Sequence, residues 1–294
     1  MKLALFDDHR LGVVEEGPQG TTVTDVTAAI GRPHDPDPLT AGWWRALCRD
    51  FPALRTDLAA AAAKGAAEPL DPGRLRAPAL NPSKIVACAC NYADHVAEMH
   101  GVQERTLGGV ESWMMNFDVF LKSPSSLSGP AEDIVLPTEV VAAGQEIHHE
   151  SELVVVIGRG GADIPRDRAL DHVLGYTLGL DITVRSAADR SRRKSYDTFS
   201  PLGPFLVTAD ELGDASDLEI RLDVNGVQRQ HVLTRDLITP VPAIVSYASS
   251  MMTLLPGDLI FTGAPPGVGA IVPGDRLRAG IGRIGELTLA VREG

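Results

Sequence analysis

The sequence predicts an α+β fold, mainly β, in which a small N-terminal domain precedes a larger β-rich domain built on a closed or rolled sheet. Three observations lead there. From residue 83 onward, short apolar runs alternate with turn signals, among them "KIVACAC", "ELVVVIG", "LGYTLGLDITV", "DLIFTG" and "GELTLAVRE". Asn225-Gly226 sits between alternating residues, the mark of a two-residue type I′ hairpin. One clear helix interrupts this half, with Thr239-Pro240 as cap and first position ahead of "VPAIVSYASSMMTLL". This spacing suits a rolled sheet better than strand-helix-strand units.

The first part of the chain has a different texture. "MKLALFDDHRLG" reads as a strand and turn, and "TTVTDVTAAI" alternates. "LTAGWWRALCRDFPALRTDLAAAAAKG" is helical in composition, and Phe51-Pro52 is expected to split it into two helices. "AAEPLDPGRLRAPALNPSK" (66–84) carries four prolines without periodicity, as a linker or crossing segment does. The expected division is therefore residues 1–79 and 80–294.

Charge narrows the partners. The 27 Lys and Arg against 39 Asp and Glu give a net charge of −12, which argues against nucleic acid. "DRSRRK" (189–194) is the only dense basic patch. No apolar run approaches the ~20 residues that span a bilayer, and Asp7 and Asp8 come too early for a signal peptide. A cytoplasmic protein without a membrane partner is expected. Three cysteines suggest no disulfide framework. Cys88 and Cys90 share a strand face but lack further zinc ligands at suitable spacing, so they read as small core residues.

"IHHESELVVVIGR" (147–159) places Glu150 and Glu152 directly before an apolar, β-branched strand. Residues two apart on a strand point to one face, about 7 Å apart along the chain. Like charges led into a buried strand need positive compensation. Asp181, inside the apolar "LGYTLGLDITVRSA", is a third acid of the same kind. Three carboxylates suit a hard divalent cation such as Mg²⁺ or Mn²⁺. The plainer readings are a solvated edge for the two glutamates and a buried ion pair with Arg185 for Asp181. His148 and His149 face opposite ways, so at most one could join the cluster; orienting roles suit them better.

"NYADHVAEMHG" (91–101) reads as a short helix ended by Gly101. His95 and Glu98 share its face, and a carboxylate beside an imidazole raises its basicity, which makes a general base for water. Surface neighbours at this spacing are usually only solvated. The following segment, 101–118, reads as a lid over a ligand or as a variable loop.

Taken together, "KIVACACNYADHVAEM", "FLKSPSSLSGP", "HHESELVVVIGR" with "GLDITVR", and "RKSYDTFSPLGPF" with "PGDLIFTGAPPGVG" resemble the fumarylacetoacetate hydrolase family. The resemblance spans residues 84 to about 280, in the family's order. It implies a small N-terminal domain, a β-rich catalytic domain of that type, and a homodimer. By position it implies Glu150, Glu152 and Asp181 as ligands of Mg²⁺ or Mn²⁺, with Ca²⁺ an alternative. It implies His95 and Glu98 as the pair that activates water, and Lys194 as a lysine facing the substrate. Arg185, Lys122 and the loop Thr262, Gly263 and Ala264 fall on substrate-binding positions.

The implied activity is metal-dependent cleavage of a C–C bond in a 2,4-diketo acid, such as an acylpyruvate, fumarylpyruvate or fumarylacetoacetate, in the catabolism of aromatic compounds. Decarboxylation of an oxaloacetate-like acid or isomerisation of a 2-hydroxymuconate-like acid on the same site is the alternative. A metal-binding module without catalysis is a third reading, which leaves the base and the lysine idle. Two departures bear on the substrate. Ala264 stands where the family pattern has a second threonine, and Ser186 and Ala188 stand where it has an acid and a glutamine.

Overall fold

At the centre of the computed structural model, which describes residues 1–18, 20–109 and 115–294, is the strand Ser151–Ile157, buried along its whole length. Its alternate side chains enter two different cores. Leu153, Val155 and Ile157 join one cluster, and Val154 and Val156 join the other. A strand covered on both faces needs a continuous apolar run, which is what "LVVVI" supplies.

The strand lies within a 12-stranded sheet. Antiparallel neighbours are Val173–Leu180 on one side and Leu259–Phe261 on the other. Ile85–Ala89 then pairs in parallel with Leu259–Phe261, and Asp118–Lys122 follows it. On the opposite side come Ser200–Thr208, Lys2–Phe6, Arg10–Gly17 and Gly20–Asp25. The N-terminal strands therefore hydrogen-bond into the same sheet as the acidic strand. A separate five-stranded sheet holds the hairpin Glu219–Val224 and Val227–Leu233. Its turn residues, Asn225 and Gly226, have φ of 52° and 79°, the left-handed pair that type I′ demands.

Two adjacent strands leave the large sheet at one place. Glu150 separates Ile147–His149 from Ser151–Ile157, and Asp181 follows Val173–Leu180 just before Thr183–Val184. The continuations pair with each other, and Ile147–His149 also pairs with Gly269–Ala270 in a three-stranded sheet. At the corner the Asp181 N–H donates to the Glu150 carbonyl at 2.8 Å. Two of the three acids are thus fixed by a shared bend in the backbone.

The helices differ from expectation in two places. Gly42–Lys64 is one helix with Pro52 inside it. Proline removes one backbone bond, but Trp43, Trp44, Leu47, Phe51 and Leu58 are all buried in the same core and hold both halves together. The second helix runs Ala93–Leu107, through Gly101, and ends at Gly108, whose φ is 75°. Interior glycine costs only ~1 kcal/mol, whereas the left-handed residue is the true stop. Residues 101–107 of the expected lid segment are therefore helical, and 110–114 lie outside the described residues. Among the described residues no helix is long and apolar enough to cross a membrane.

Asp258 anchors the centre. Fully buried, its Oδ1 accepts from the Ser83 N–H at 2.9 Å and the Ser83 hydroxyl at 2.6 Å, while Oδ2 takes Lys84 Nζ at 2.5 Å and the Leu255 N–H at 2.8 Å. It ties the entry of one parallel strand to the entry of the other. Asp258→Ala is expected to cost about 3 kcal/mol, because several donors lose a buried charged acceptor. Urea unfolding measures this, and a loss below about 1 kcal/mol would show that the anchor is dispensable.

Candidate active site

Glu150, Glu152 and Asp181 converge. Each offers an oxygen within 4.8 Å of the others, and all three are buried. Most of the positive compensation comes from the protein itself. Lys194 Nζ donates to Glu150 Oε2 at 2.7 Å, Asp181 Oδ2 at 2.5 Å and Thr183 Oγ1 at 2.7 Å. Arg185 Nη2 reaches Glu150 Oε1 at 2.6 Å, and Lys122 Nζ reaches Asp181 Oδ1 at 2.7 Å. Arg185 therefore pairs with Glu150 and not with Asp181.

Glu152 is the exception. Its Oε2 accepts from the Gly263 N–H at 2.6 Å, and its Oε1 is buried without a partner. Burial, with the nearby Asp181 and Glu150 charges, pushes its carboxyl well above the usual range. Burial acts on Glu150 in the same direction, but the Lys194 and Arg185 charges override it and hold Glu150 well below. An orphaned buried oxygen facing two other carboxylates fits a divalent cation, which would supply the missing partner. Three oxygen donors with no thiolate or imidazole among them favour Mg²⁺ or Mn²⁺ over softer metals.

A narrow cleft opens beside the triad, lined by His95, Met99 and Gln103 from one helix and by Glu150, Arg185, Arg190, Arg193, Lys194 and Ala264. His95 Nδ1 lies 3.3 Å from Glu98 Oε2. Burial raises the Glu98 carboxyl, but the bond to His95 and its charge outweigh it, aided by the Gly267 and Val268 N–H groups, so Glu98 titrates below its ordinary value. Glu98 is thus held from both sides, by the imidazole and by the loop.

Other expected substrate contacts are placed differently. Lys122 is sealed in, donating to Asp181 and to the Phe199 carbonyl at 2.7 Å, and does not line the cleft. Desolvation lowers its pKa against the pull of Asp181. The Thr262 hydroxyl is spent on the Leu153 carbonyl at 2.9 Å. The Gly263 and Gly267 N–H groups point at protein carboxylates, Glu152 and Glu98. Gly263 has a φ of 107°, and a Cβ there would lie 2.7 Å from the Asn91 Cβ. Only Ala264 of this loop's predicted residues lines the cleft. Lys194 does reach it, but spends its donors on Glu150, Asp181 and Thr183.

His148 and His149 are both buried outside the triad. His148 Nε2 lies 2.8 Å from Glu146 Oε2, and His149 Nδ1 lies 3.3 Å from Gln230 Oε1. Two supports carried no sequence signal. Asn91 donates to the Thr239 and Thr262 carbonyls and accepts from the Thr239 N–H. Gln230 accepts the Ser151 N–H and donates to the Pro265 carbonyl. Both clamp the 262–269 loop.

A buried carboxylate triad on a rolled β scaffold, with a carboxylate-bonded imidazole lining the cleft beside it, defines a divalent-metal-dependent enzyme. The family model of the fumarylacetoacetate (FAA) hydrolase C-terminal region matches residues 84–292, and the chain belongs to that family. It is 39% identical over 296 residues to the maleylpyruvate hydrolase of Aquipseudomonas alcaligenes, covering 99% of each chain. Its fold is similar to the crystal structure of maleylpyruvate hydrolase from Sphingobium sp. SYK-6 in complex with manganese(II) and pyruvate, with a TM-score of 0.84, 39% identity and full coverage of both chains. A 5-carboxymethyl-2-hydroxymuconate delta-isomerase from Mycobacterium smegmatis aligns over 100% of both chains at 32% identity and a TM-score of 0.73.

The unpaired Glu152 oxygen gives a test that needs no substrate. In chelator, Glu152→Gln should melt at or above the wild type, because the neutral amide replaces a carboxyl whose ionisation is opposed by burial and by two neighbouring carboxylates. Saturating Mn²⁺ should raise the wild-type Tm by roughly 5 °C or more, the size of a ligand at 100-fold its Kd, and the variant by far less. Equal rises would exclude Glu152 as a ligand.

Proposed function

We propose that this protein hydrolyses a C–C bond in a 2,4-diketo acid of the acylpyruvate type, such as maleylpyruvate, fumarylpyruvate or fumarylacetoacetate. The observation that carries the reading is that His95, paired with Glu98, lines the same cleft as Glu150 of the carboxylate triad. Glu150, Glu152 and Asp181 would hold Mn²⁺ or Mg²⁺, which when bound supplies a Lewis acid for the keto oxygen of the substrate. The similarity to maleylpyruvate hydrolases supports this assignment. The reading includes breakdown of aromatic compounds in the cytoplasm by a homodimer. Residues 80–294 carry the chemistry and residues 1–79 brace it.

The roles follow from the contacts. A proton on His95 Nδ1, facing Glu98, leaves Nε2 basic. His95 takes a proton from water as the oxygen attacks the distal carbonyl carbon. Glu98 stabilises the imidazolium that forms, and the Gly267 N–H keeps Glu98 in place. The bond between that carbon and its neighbour then breaks, and its electrons run to the keto oxygen of the pyruvate half. Lys194 and Arg185, held on Glu150, offset the negative charge that develops there. Lys122 lies one layer below, where it fixes Asp181. The imidazolium returns its proton to the enolate, and the products are a carboxylic acid and the enol of pyruvate.

A second reading, isomerisation or decarboxylation, is favoured by Ala264. Its methyl lines the cleft where the family pattern has a hydroxyl, and the Mycobacterium smegmatis relative is an isomerase. Product analysis separates the readings. With Mn²⁺ present, acylpyruvates should yield pyruvate and the matching acid, and chelator should abolish turnover. Release of CO₂ from oxaloacetate with intact acylpyruvates would select the second reading.

His95→Asn should lower kcat on an acylpyruvate by about 100-fold or more, the ordinary contribution of a general base. The Mn²⁺-induced rise in Tm should be unchanged. Hydrolysis continuing at the wild-type rate would remove His95 from the mechanism.

A further inference from the structure

The cleft holds more positive charge than the triad requires. Arg185, Arg190, Arg193 and Lys194 line it with Glu150 as the only carboxylate among its described lining residues. Lys194 and Arg185 are committed to the triad. Arg193 is not. Its exposure is 9%, yet its guanidinium makes one long bond, from Nη1 to the Ser186 carbonyl at 3.4 Å. Its Nε is buried without a partner, and no carboxylate among the described residues forms an ion pair with it. A buried guanidinium facing a cleft with open donors is costly unless an anion completes it.

Its surroundings add to that cost. Burial and the Arg185 charge push the Arg193 pKa down to about 10. Gln103 Oε1, on the helix that carries His95, is also buried without a partner on this cleft. The two ends of that amide exchange by a half-turn, so it can offer N–H donors as readily as its oxygen. Ala188, where the family pattern has a glutamine, brings no donor of its own to the segment.

We propose that Arg193 binds a second carboxylate of the substrate, remote from its α-keto acid end, and so makes the enzyme selective for dicarboxylate acylpyruvates over monocarboxylate ones. This rests on the hydrolase reading for its substrate class. Guanidinium is suited to the task, since its planar fork matches a carboxylate with two parallel N–H donors and is only weakly hydrated. Selectivity then comes chiefly from the unpaired donors that a monocarboxylate leaves behind. A site built to bond a polar group rejects the analogue lacking it far more strongly than a site that merely has room for it.

Two measurements test the proposal, one independent of turnover. In calorimetry on the Mn²⁺-loaded protein, 2-oxoadipate should bind about 30-fold or more tighter than 2-oxohexanoate, and Arg193→Gln should erase most of that ratio. In kinetics, Arg193→Gln should lower kcat/KM for fumarylpyruvate by about 30-fold, mainly through KM, and that for acetylpyruvate by less than threefold. Arg193→Lys should keep part of the preference, because charge remains while the fork is lost. Equal binding of the two oxo acids by the wild type would overturn the proposal without any variant. So would an equal loss on both substrates in Arg193→Gln. If no acylpyruvate is cleaved but the oxo acids are still discriminated through Arg193, the hydrolase reading fails and the carboxylate site stands.

Discussion

Three carboxylates held within 4.8 Å of one another in a buried place are the constraint on which the rest of this structure depends. At that spacing and burial their repulsion is large and poorly screened. The fold answers it from three directions: Lys122 from the strand Asp118–Lys122, Arg185 from just beyond Thr183–Val184, and Lys194 from the segment before Ser200–Thr208. Those elements must stay where they are for the charges to balance. Every oxygen of Glu150 and Asp181 is thereby paired, and one oxygen of Glu152 is not. The unpaired oxygen is a local property of one side chain, while the cost of keeping it is carried by the whole sheet.

The sheet corner explains why the arrangement is rigid enough to matter. Glu150 and Asp181 sit where two paired strands bend out of the large sheet together, joined by the Asp181 N–H to Glu150 carbonyl bond. Glu152 is one residue inside the large sheet, on a strand packed on both faces. A ligand set mounted on backbone turns of this kind has little rotamer freedom to lose when a cation arrives. The loop at 262–269 adds a second fixed edge. Its amides hold Glu152 and Glu98, so the metal side and the base side of the cleft are positioned by one segment. Asn91 and Gln230 hold that segment in turn.

Much of this was legible in the sequence, for physical reasons. Acids beside or within an apolar strand are conspicuous because burial makes them costly, so Glu150, Glu152 and Asp181 stood out without any structure. Asn225-Gly226 stood out because few residue pairs tolerate two left-handed positions. Other features were hidden because they depend on tertiary context. Pro52 should end a helix, but the helix Gly42–Lys64 is held by its packed face rather than by its backbone bonds. Gly101 reads as a stop only if its φ is positive, and no local signal told it from Gly108. Lys122 and Thr262 sit on expected substrate positions, yet both are turned to backbone carbonyls or to Asp181, and side-chain direction is not encoded in a motif.

The charge of the cleft links the metal, the base and the substrate. Before any ligand enters, Lys122, Lys194 and Arg185 already offset the three carboxylates, and Arg193 comes in addition. A divalent cation raises the surplus further. A singly charged acid would leave much of it uncompensated in a place shielded from solvent, whereas a dianion brings charge to both ends. The same surplus favours the reaction itself, because negative charge shifts onto the keto oxygen as the C–C bond breaks, and fixed positive groups need no reorganisation to meet it. Substrate recognition and stabilisation of the breaking bond therefore draw on one electrostatic feature. It is an excess of buried cations over carboxylates, built by the short segment between Arg185 and Lys194.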